Sequence, residues 1–302
     1  MPELPEVETI ARSLRRTAVG LRVEAVRLLW PKLLRGPAAG LRRLRGRRIV
    51  GVGRRGKMLL VSFEGDAHLL FHLKMTGRFH WMDRGAPVDR HTRLRIAFRD
   101  RARELRFSDV RKFAVLRLLD TPHPLESPAL AGLGPEPLAT PAPDLARRLV
   151  RRNGRLKSLL LNQAFLAGVG NIYADESLFA AGLHPLRAAS SLSDDEALRL
   201  ARAVQKILAA AVAAGGSTIR DYRDAEGMDG LFQRDHKVYG RRSEPCRVCG
   251  RPVERRVIGG RSSFFCPICQ PLRPSGAAGR GHGRTSGSAS LRGNGVRRRR
   301  SN

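Results

Sequence analysis

Outside residues 246–269 the 302-residue chain has no cysteine, so no disulfide framework is available and a reducing, cytoplasmic compartment is expected. It also lacks any uncharged stretch near the ~18–20 apolar residues of a membrane span. The Ala-rich run Ile207–Ala214 is far too short. Nor does Met1-Pro2-Glu3-Leu4-Pro5-Glu6 contain the apolar segment of a secretory signal. Acids are few, 27 against 57 Lys+Arg, for a formal net charge of +30. Residues 271–302 hold eight Arg and no acid, which leaves +22 on the remainder. The basicity is therefore a property of the body, and a polyanion is the expected partner, nucleic acid ahead of an anionic membrane. Lysine is scarce too, seven against fifty Arg. Where any cation serves, this chain uses Arg, so the seven that persist, Lys32, Lys57, Lys74, Lys112, Lys157, Lys206 and Lys237, rank as places that need an ammonium.

What is present divides the chain. Pro5 followed by Glu6 and Glu8 starts a helix, and Val7, Ile10 and Leu14 recur on one face of it through residue 18. Strand signals follow at 48–63, 68–75, 93–99, 104–107 and 113–119, which predicts an α+β fold: an N-terminal helix packed on an antiparallel β-sandwich over 1–119. Seven prolines in 120–143 read as a linker. From 144 to 240 the period is helical, with a capping box at Ser193–Glu196 opening a long helix that Gly215-Gly216 stops. A finger over 241–270 and a disordered Arg-rich tail over 271–302 complete the expected organisation.

Three short stretches carry chemistry. Cys246-x2-Cys249-x16-Cys266-x2-Cys269 has the pairing of a closed tetrahedral site for one structural Zn2+. Between the pairs, 253–258 and 261–265 read as strands joined by Gly259-Gly260, with Arg261 at the tip. Gly168-Val169-Gly170-Asn171 is either a tight connection between helices or a phosphate cradle at a helix N-terminus. At the N-terminus, removal of Met1 would leave Pro2 with a free secondary amine. An α-amino group titrates near ~8 rather than ~10.4, so a useful fraction is the neutral nucleophile at neutral pH. Glu3 and Glu6 stand beside it and serve either as helix caps or as acid/base groups.

Pro2-Glu3-Leu4-Pro5-Glu6-Val7-Glu8-Thr9, Gly168–Ala174 and Tyr239-Gly240-Arg241 running into the cysteines together resemble the bacterial formamidopyrimidine-DNA glycosylases, over about residues 1–270. The resemblance implies a two-domain fold with a helix–two-turn–helix region and zinc finger. It implies a monomer that excises oxidised purines from duplex DNA through a Schiff base and then cleaves the abasic site by β,δ-elimination. By the same resemblance Pro2 is the nucleophile, Glu3 the acid that opens the sugar, Glu6 its acidic partner, and Lys57 and Arg261 catalytic cations. His91, Lys157, Asn171 and Arg261 contact the DNA backbone, Arg111 reads the orphaned base, and Met75 and Phe113 wedge the stack beside it. Lys74, where the family pattern has Gly, and Val110-Lys112 depart from that pattern. Two rivals are an endonuclease-VIII-like enzyme for oxidised pyrimidines and a non-enzymatic zinc-ribbon DNA binder.

Overall fold

The computed structural model describes residues 1–99, 101–219 and 222–272; the Arg-rich tail, from residue 273 on, lies outside the described residues. α1 (Leu4–Ala18) comes first, with Pro5 in its first turn and Glu3 as its N-cap. Eight strands follow: β1 (Val23–Leu28), β2 (Ile49–Arg55), β3 (Met58–Phe63), β4 (Ala67–His72), β5 (Gly77–Asp83), β6 (Thr92–Phe98), β7 (Arg103–Asp109) and β8 (Val115–Asp120). They form two four-stranded sheets, in the orders β1-β6-β7-β5 and β2-β3-β4-β8. Every pairing is antiparallel. Alternate residues of both sheets turn inward, and Phe71, Phe79 and Phe107 meet at the centre with ring centroids 4.9–5.4 Å apart. The apolar face of α1 (Val7, Ile10, Leu14) is buried in the same core. The continuous strand signal at 48–63 is two strands, β2 and β3, broken by a turn at Gly56, whose φ is +57°.

The proline-rich segment is anchored to the sandwich. It contains a 3-10 turn at Pro124–Glu126 and one short α-helical turn, α2 (Pro128–Ala131), whose Leu130 packs with Leu60 and Leu70. Glu136 reaches back to the β2–β3 turn, accepting from the Gly56 N–H at 2.5 Å, Arg54 at 2.8 Å and Arg55 at 3.0 Å. Lys57 is the next residue, so this carboxylate fixes the turn that presents it.

The helical region contains α3 (Ala142–Val150), α4 (Leu156–Leu161), α5 (Asn171–Ala180) and α6 (Asp194–Ala213). Ser193 caps α6 in the expected capping box with Glu196. Their apolar faces make a second core, and Leu4 belongs to it although the rest of α1 packs into the first. The hairpin β9 (Glu254–Ile258) and β10 (Arg261–Phe265) closes the described chain. No helix among the described residues is long and apolar enough to cross a membrane.

Glu136→Ala removes the acceptor for one backbone N–H and two guanidinium groups. We expect a stability loss of about 1–3 kcal/mol, read as a lower urea midpoint with an unchanged m-value. An unchanged midpoint would show that the turn stands without it.

Candidate active site

The junction of the two cores is where residues 2–6 lie. Pro2, Glu3 and Glu6 are buried, the two acids to 2% and 1% exposure. The Leu4 N–H donates to the Gly168 carbonyl at 3.0 Å, joining α1 to the loop before α5. One Glu3 oxygen accepts from the Ile172 N–H at 3.0 Å, in the first turn of α5, where the helix N-terminus favours a negative charge. The other, Oε2, is buried and has no protein partner. The glycines of the loop are required by contact. A Cβ on Gly170 would lie 2.3 Å from the Glu3 carboxyl carbon, and one on Gly168 2.7 Å from the Leu4 side chain. Gly168-Val169-Gly170 is thus a close-approach loop seated on Glu3 and Leu4.

Glu6 closes the capping box, accepting from the Glu3 N–H at 2.7 Å. Its other oxygen accepts from the Ser217 N–H at 2.8 Å and from the Tyr173 hydroxyl. Burial, and then the neighbouring Glu3 charge, push its carboxyl up to about 7 against the hydrogen bonds that favour ionisation. Because the folded value lies above the unfolded one, the stability linked to Glu6 is complete below about pH 4.5 and is lost as pH rises through 7.

Lys57 is buried at the same place. Burial lowers its ammonium's pKa; the charges of Glu3 and Glu6 oppose that shift, while Arg261 and Lys74 add to it. The turn, the N-terminus, the hairpin tip and the β4–β5 loop thus share one electrostatic neighbourhood. His72, opposite Met58 across β3 and β4, is held neutral, its pKa driven down to about 4 by burial and then by Lys74 and Lys57.

Asn171 begins α5 and donates from its amide nitrogen to the Ser262 carbonyl at 2.8 Å, fastening the hairpin next to exposed Arg261; its buried Oδ1 has no partner. His91 lies half-buried before β6, with Nε2 accepting from Arg90 at 3.1 Å and a buried Nδ1 without a partner. Lys157 differs from the backbone-contact role that the resemblance implies. It is 0% exposed, and its ammonium donates to Asp175 at 2.7 Å and to the Asn171 carbonyl at 2.9 Å. An ammonium sealed in this way cannot meet a phosphate; it holds Asn171 in place instead. Asp175 in turn accepts from the Phe264 N–H at 3.0 Å, so the same ion pair secures β10.

Met75 and Phe113 are 40% and 52% exposed, and the Arg111 guanidinium lies 4.7 Å from the Phe113 ring centroid. Buried Asp109 joins their two loops: Thr76 donates to it, as do the backbone N–H groups of Arg111 at 3.3 Å and Ala114 at 2.8 Å. Of the three residues that depart from the family pattern, Lys74 and Lys112 sit at a left-handed backbone, with φ +54° and +59°, and Val110 does not. Glycine is the natural occupant of such a position.

The sulfurs of Cys246, Cys249, Cys266 and Cys269 all lie within 4.8 Å of one another, with pairs at 3.9 and 3.4 Å. Ligands ~2.3 Å from a tetrahedral zinc stand ~3.8 Å apart. The donor set and its spacing fit one Zn2+ closed to substrate. N–H groups of Val248 and Cys269 point at the sulfurs of Cys246 and Cys266, each at 3.5 Å, as suits thiolates.

Sequence reasoning missed His72, Tyr173, Asp175, Ser217 and His236. Tyr173 and Asp175 lie in the stretch that begins with the glycine loop, and their spacing signals nothing. Ser217 and His236 are brought to Glu6 only by the fold.

Comparison with known proteins covers the same ground. Residues 1–116 match the formamidopyrimidine-DNA glycosylase N-terminal domain, 133–223 the formamidopyrimidine-DNA glycosylase H2TH domain, and 243–272 a zinc finger found in FPG and IleRS. The chain is 46% identical over 277 residues to a formamidopyrimidine-DNA glycosylase of Heliobacterium modesticaldum, covering 89% of this chain and 100% of that protein. Among solved structures, the MutM (FPG) protein of Thermus thermophilus aligns with TM-score 0.80 and 46% identity over 90% of this chain and 100% of that one. Lactococcus lactis Fpg in complex with abasic-site DNA aligns with TM-score 0.84 and 33% identity over 89% and 100%.

Gly170→Ala tests the close approach. The added methyl must displace the Glu3 carboxyl, and a misplacement of about 1 Å costs about 100-fold in rate. We expect that loss in single-turnover excision, with circular dichroism and zinc content unchanged. A wild-type rate would show that the Glu3 position is not critical.

Proposed function

The chain belongs to the formamidopyrimidine-DNA glycosylase family, and from that premise we propose that its buried N-terminal cluster carries out base excision at Pro2. The family's activity is excision of damaged bases from DNA followed by cleavage at the abasic site. The observation that supports Pro2, Glu3 and Lys57 as the reacting groups is the unpartnered Glu3 Oε2, buried at the domain junction next to Pro2. A buried carboxyl oxygen without a partner is costly unless a ligand satisfies it. In the protein processed by removal of Met1, the Pro2 amine attacks C1′ of the extruded nucleotide as the glycosidic bond breaks and the base leaves with a proton. Glu3 supplies a proton to the ring oxygen, the C1′–O4′ bond opens, and a Pro2–C1′ iminium forms. The iminium draws electrons from the C2′–H bond as that proton leaves, and the 3′ phosphate departs; a second elimination releases the 5′ phosphate. Lys57 places a cation where the phosphate charge collects.

Binding belongs to the surface around this cluster. Arg261 and Asn171 face the backbone from the finger side and His91 from the sandwich side. Met75 and Phe113 fill the space left by the extruded base, and Arg111 meets its former partner. Extrusion costs a few kcal/mol, which such insertion and the phosphate contacts offset. Among the described residues the metal-type cluster is the cysteine site, and its role is to hold the hairpin that carries Arg261. The chromosome in the cytoplasm is the proposed place of action. The pyrimidine-specific and non-enzymatic alternatives are disfavoured, since the N-terminal and H2TH segments match models described as formamidopyrimidine-DNA glycosylase and the similar curated proteins carry that name.

Blocking the Pro2 amine with an N-terminal extension, or replacing Pro2→Gly, is expected to cut borohydride-trapped adduct on abasic duplex by at least about 100-fold. Duplex affinity should stay within about twofold, because affinity rests on many cations. Trapping at the normal rate would move the nucleophile to a lysine. Cys249→Ser should lose zinc and, with the hairpin, most duplex binding. A zinc-free variant with normal affinity would remove the finger from the interface.

A further inference from the structure

Behind Glu6 runs a chain of side chains that the excision chemistry does not use. The Tyr173 hydroxyl touches Glu6 Oε1. It also lies 3.2 Å from Ser217 Oγ, which lies 3.2 Å from His236 Nε2. Exposure along the chain is 1%, 0%, 4% and 4% from Glu6 to His236, so water reaches none of its links. Burial holds the His236 imidazole's pKa below its ordinary value, opposed by the Glu176 charge and by a hydrogen bond with the Tyr239 backbone. Charges face His236 from three sides: Glu176 of α5, Asp235 beside it, and Arg247 of the finger. Glu176 is fixed as an acceptor by the N–H groups of Lys237, Val238 and Tyr239 at 2.8–3.0 Å. Glu6 faces Glu3, Lys57 and the buried hydroxyl of Tyr222.

Each hydroxyl has one proton to donate; with every link made and the imidazole's other nitrogen donating to the Tyr239 backbone, the chain has two patterns. With neutral His236, Nε2 accepts from Ser217, Ser217 accepts from Tyr173, and Tyr173 accepts from a protonated Glu6. With protonated His236 every bond reverses: Nε2–H donates to Ser217, Ser217 to Tyr173, and Tyr173 to a Glu6 carboxylate. The two patterns contain the same number of protons.

We propose that Tyr173, Ser217 and His236 form a proton relay that sets the protonation state of Glu6, with His236 as the positioning residue at its far end. The inference rests on the reading of Glu6 as the acidic partner of Pro2. In the transfer the Glu6 O–H bond breaks and its proton bonds to Tyr173 Oη. The Tyr173 proton passes to Ser217 Oγ, and the Ser217 proton to His236 Nε2. Glu6 is left a carboxylate and His236 an imidazolium, with no proton exchanged with solvent. The carboxylate then takes a proton from the Pro2 ammonium and leaves the neutral amine that attacks.

The test is the pH profile of single-turnover borohydride trapping on an abasic duplex, for the full chain with zinc. In His236→Leu, Ser217 is free to donate to Tyr173 and Tyr173 to Glu6. In Ser217→Ala, Tyr173 has only Glu6 to donate to. Both changes favour the carboxylate, so the acid limb should move to lower pH by about one unit, the size of one reversed hydrogen bond. The double variant should show the same shift and no more. Ser217→Ala, a smaller change, carries the test if His236→Leu does not fold. A uniform loss of rate with the limb unmoved means that these residues only pack, and overturns the relay. Glu6→Gln separates the two readings. If it abolishes the limb while the other variants leave it unmoved, the relay fails alone; if Glu6→Gln keeps the limb, the role of Glu6 fails and the relay with it.

Discussion

Burial of residues 2–6 between two cores is the constraint from which the rest of the architecture follows. A chain terminus is ordinarily frayed and solvated. Here Leu4 belongs to the helical core while Val7, Ile10 and Leu14, on the same helix, belong to the sandwich. That division leaves Pro2 and Glu3 no place except the seam. Burying two carboxyls so close together is costly unless each is hydrogen-bonded. The capping box and the Ile172 N–H meet most of that demand. The oxygen they leave unpartnered is the one the proposed chemistry assigns to substrate.

Precision at the seam comes from glycines rather than from side chains. Gly170 and Gly216 lie where a Cβ would press on Glu3 and Glu6 respectively, at 2.3 and 2.8 Å. A tight backbone wall leaves each carboxyl a single position, as the proton transfers proposed at Glu3 and Glu6 require. The same wall removes water, so every charge nearby acts at a lower effective dielectric. Lys57 feels Glu3, Glu6, Arg261 and Lys74, from segments that meet only in the folded chain.

Much of this was legible in the sequence. The first helix, the capping box at Ser193 and the cysteine hairpin obey local rules of period, capping and spacing, and the structure has them where those rules put them. β1 and β5 give no such signal. Val23–Leu28 carries Glu and Arg among its apolar residues, Gly77–Asp83 opens on Gly and closes on Asp, and each is an edge strand whose exposed side need not be apolar. Lys157 shows a deeper limit. Its rarity marked it as a residue that needs an ammonium, and it is one, but the anion it serves is Asp175 of the same chain rather than a phosphate. A motif indicates that a charge is needed; only the fold shows which partner receives it. Glu6 and His236 lie too far apart in the chain for any spacing rule to join them.

The loops that carry Met75 and Phe113 run against ordinary folding preference in two ways. Each exposes a large apolar side chain, and each holds a lysine, Lys74 or Lys112, at a positive φ. Such a backbone position costs of order 1 kcal/mol for a residue with a Cβ and persists only when the surroundings impose it. His72 Nδ1 accepts from the Lys74 N–H at 3.1 Å, and the Asp109 carboxylate holds Thr76 on one loop and the Arg111 and Ala114 amides on the other. Lysine adds to a left-handed position what glycine cannot, a cation beside an apolar probe. In the proposed wedge role, a probe flanked by ammonium groups is drawn to the phosphates of the duplex it enters. On that proposed role, the departure from glycine at Lys74 exchanges backbone ease for electrostatic attraction toward the duplex.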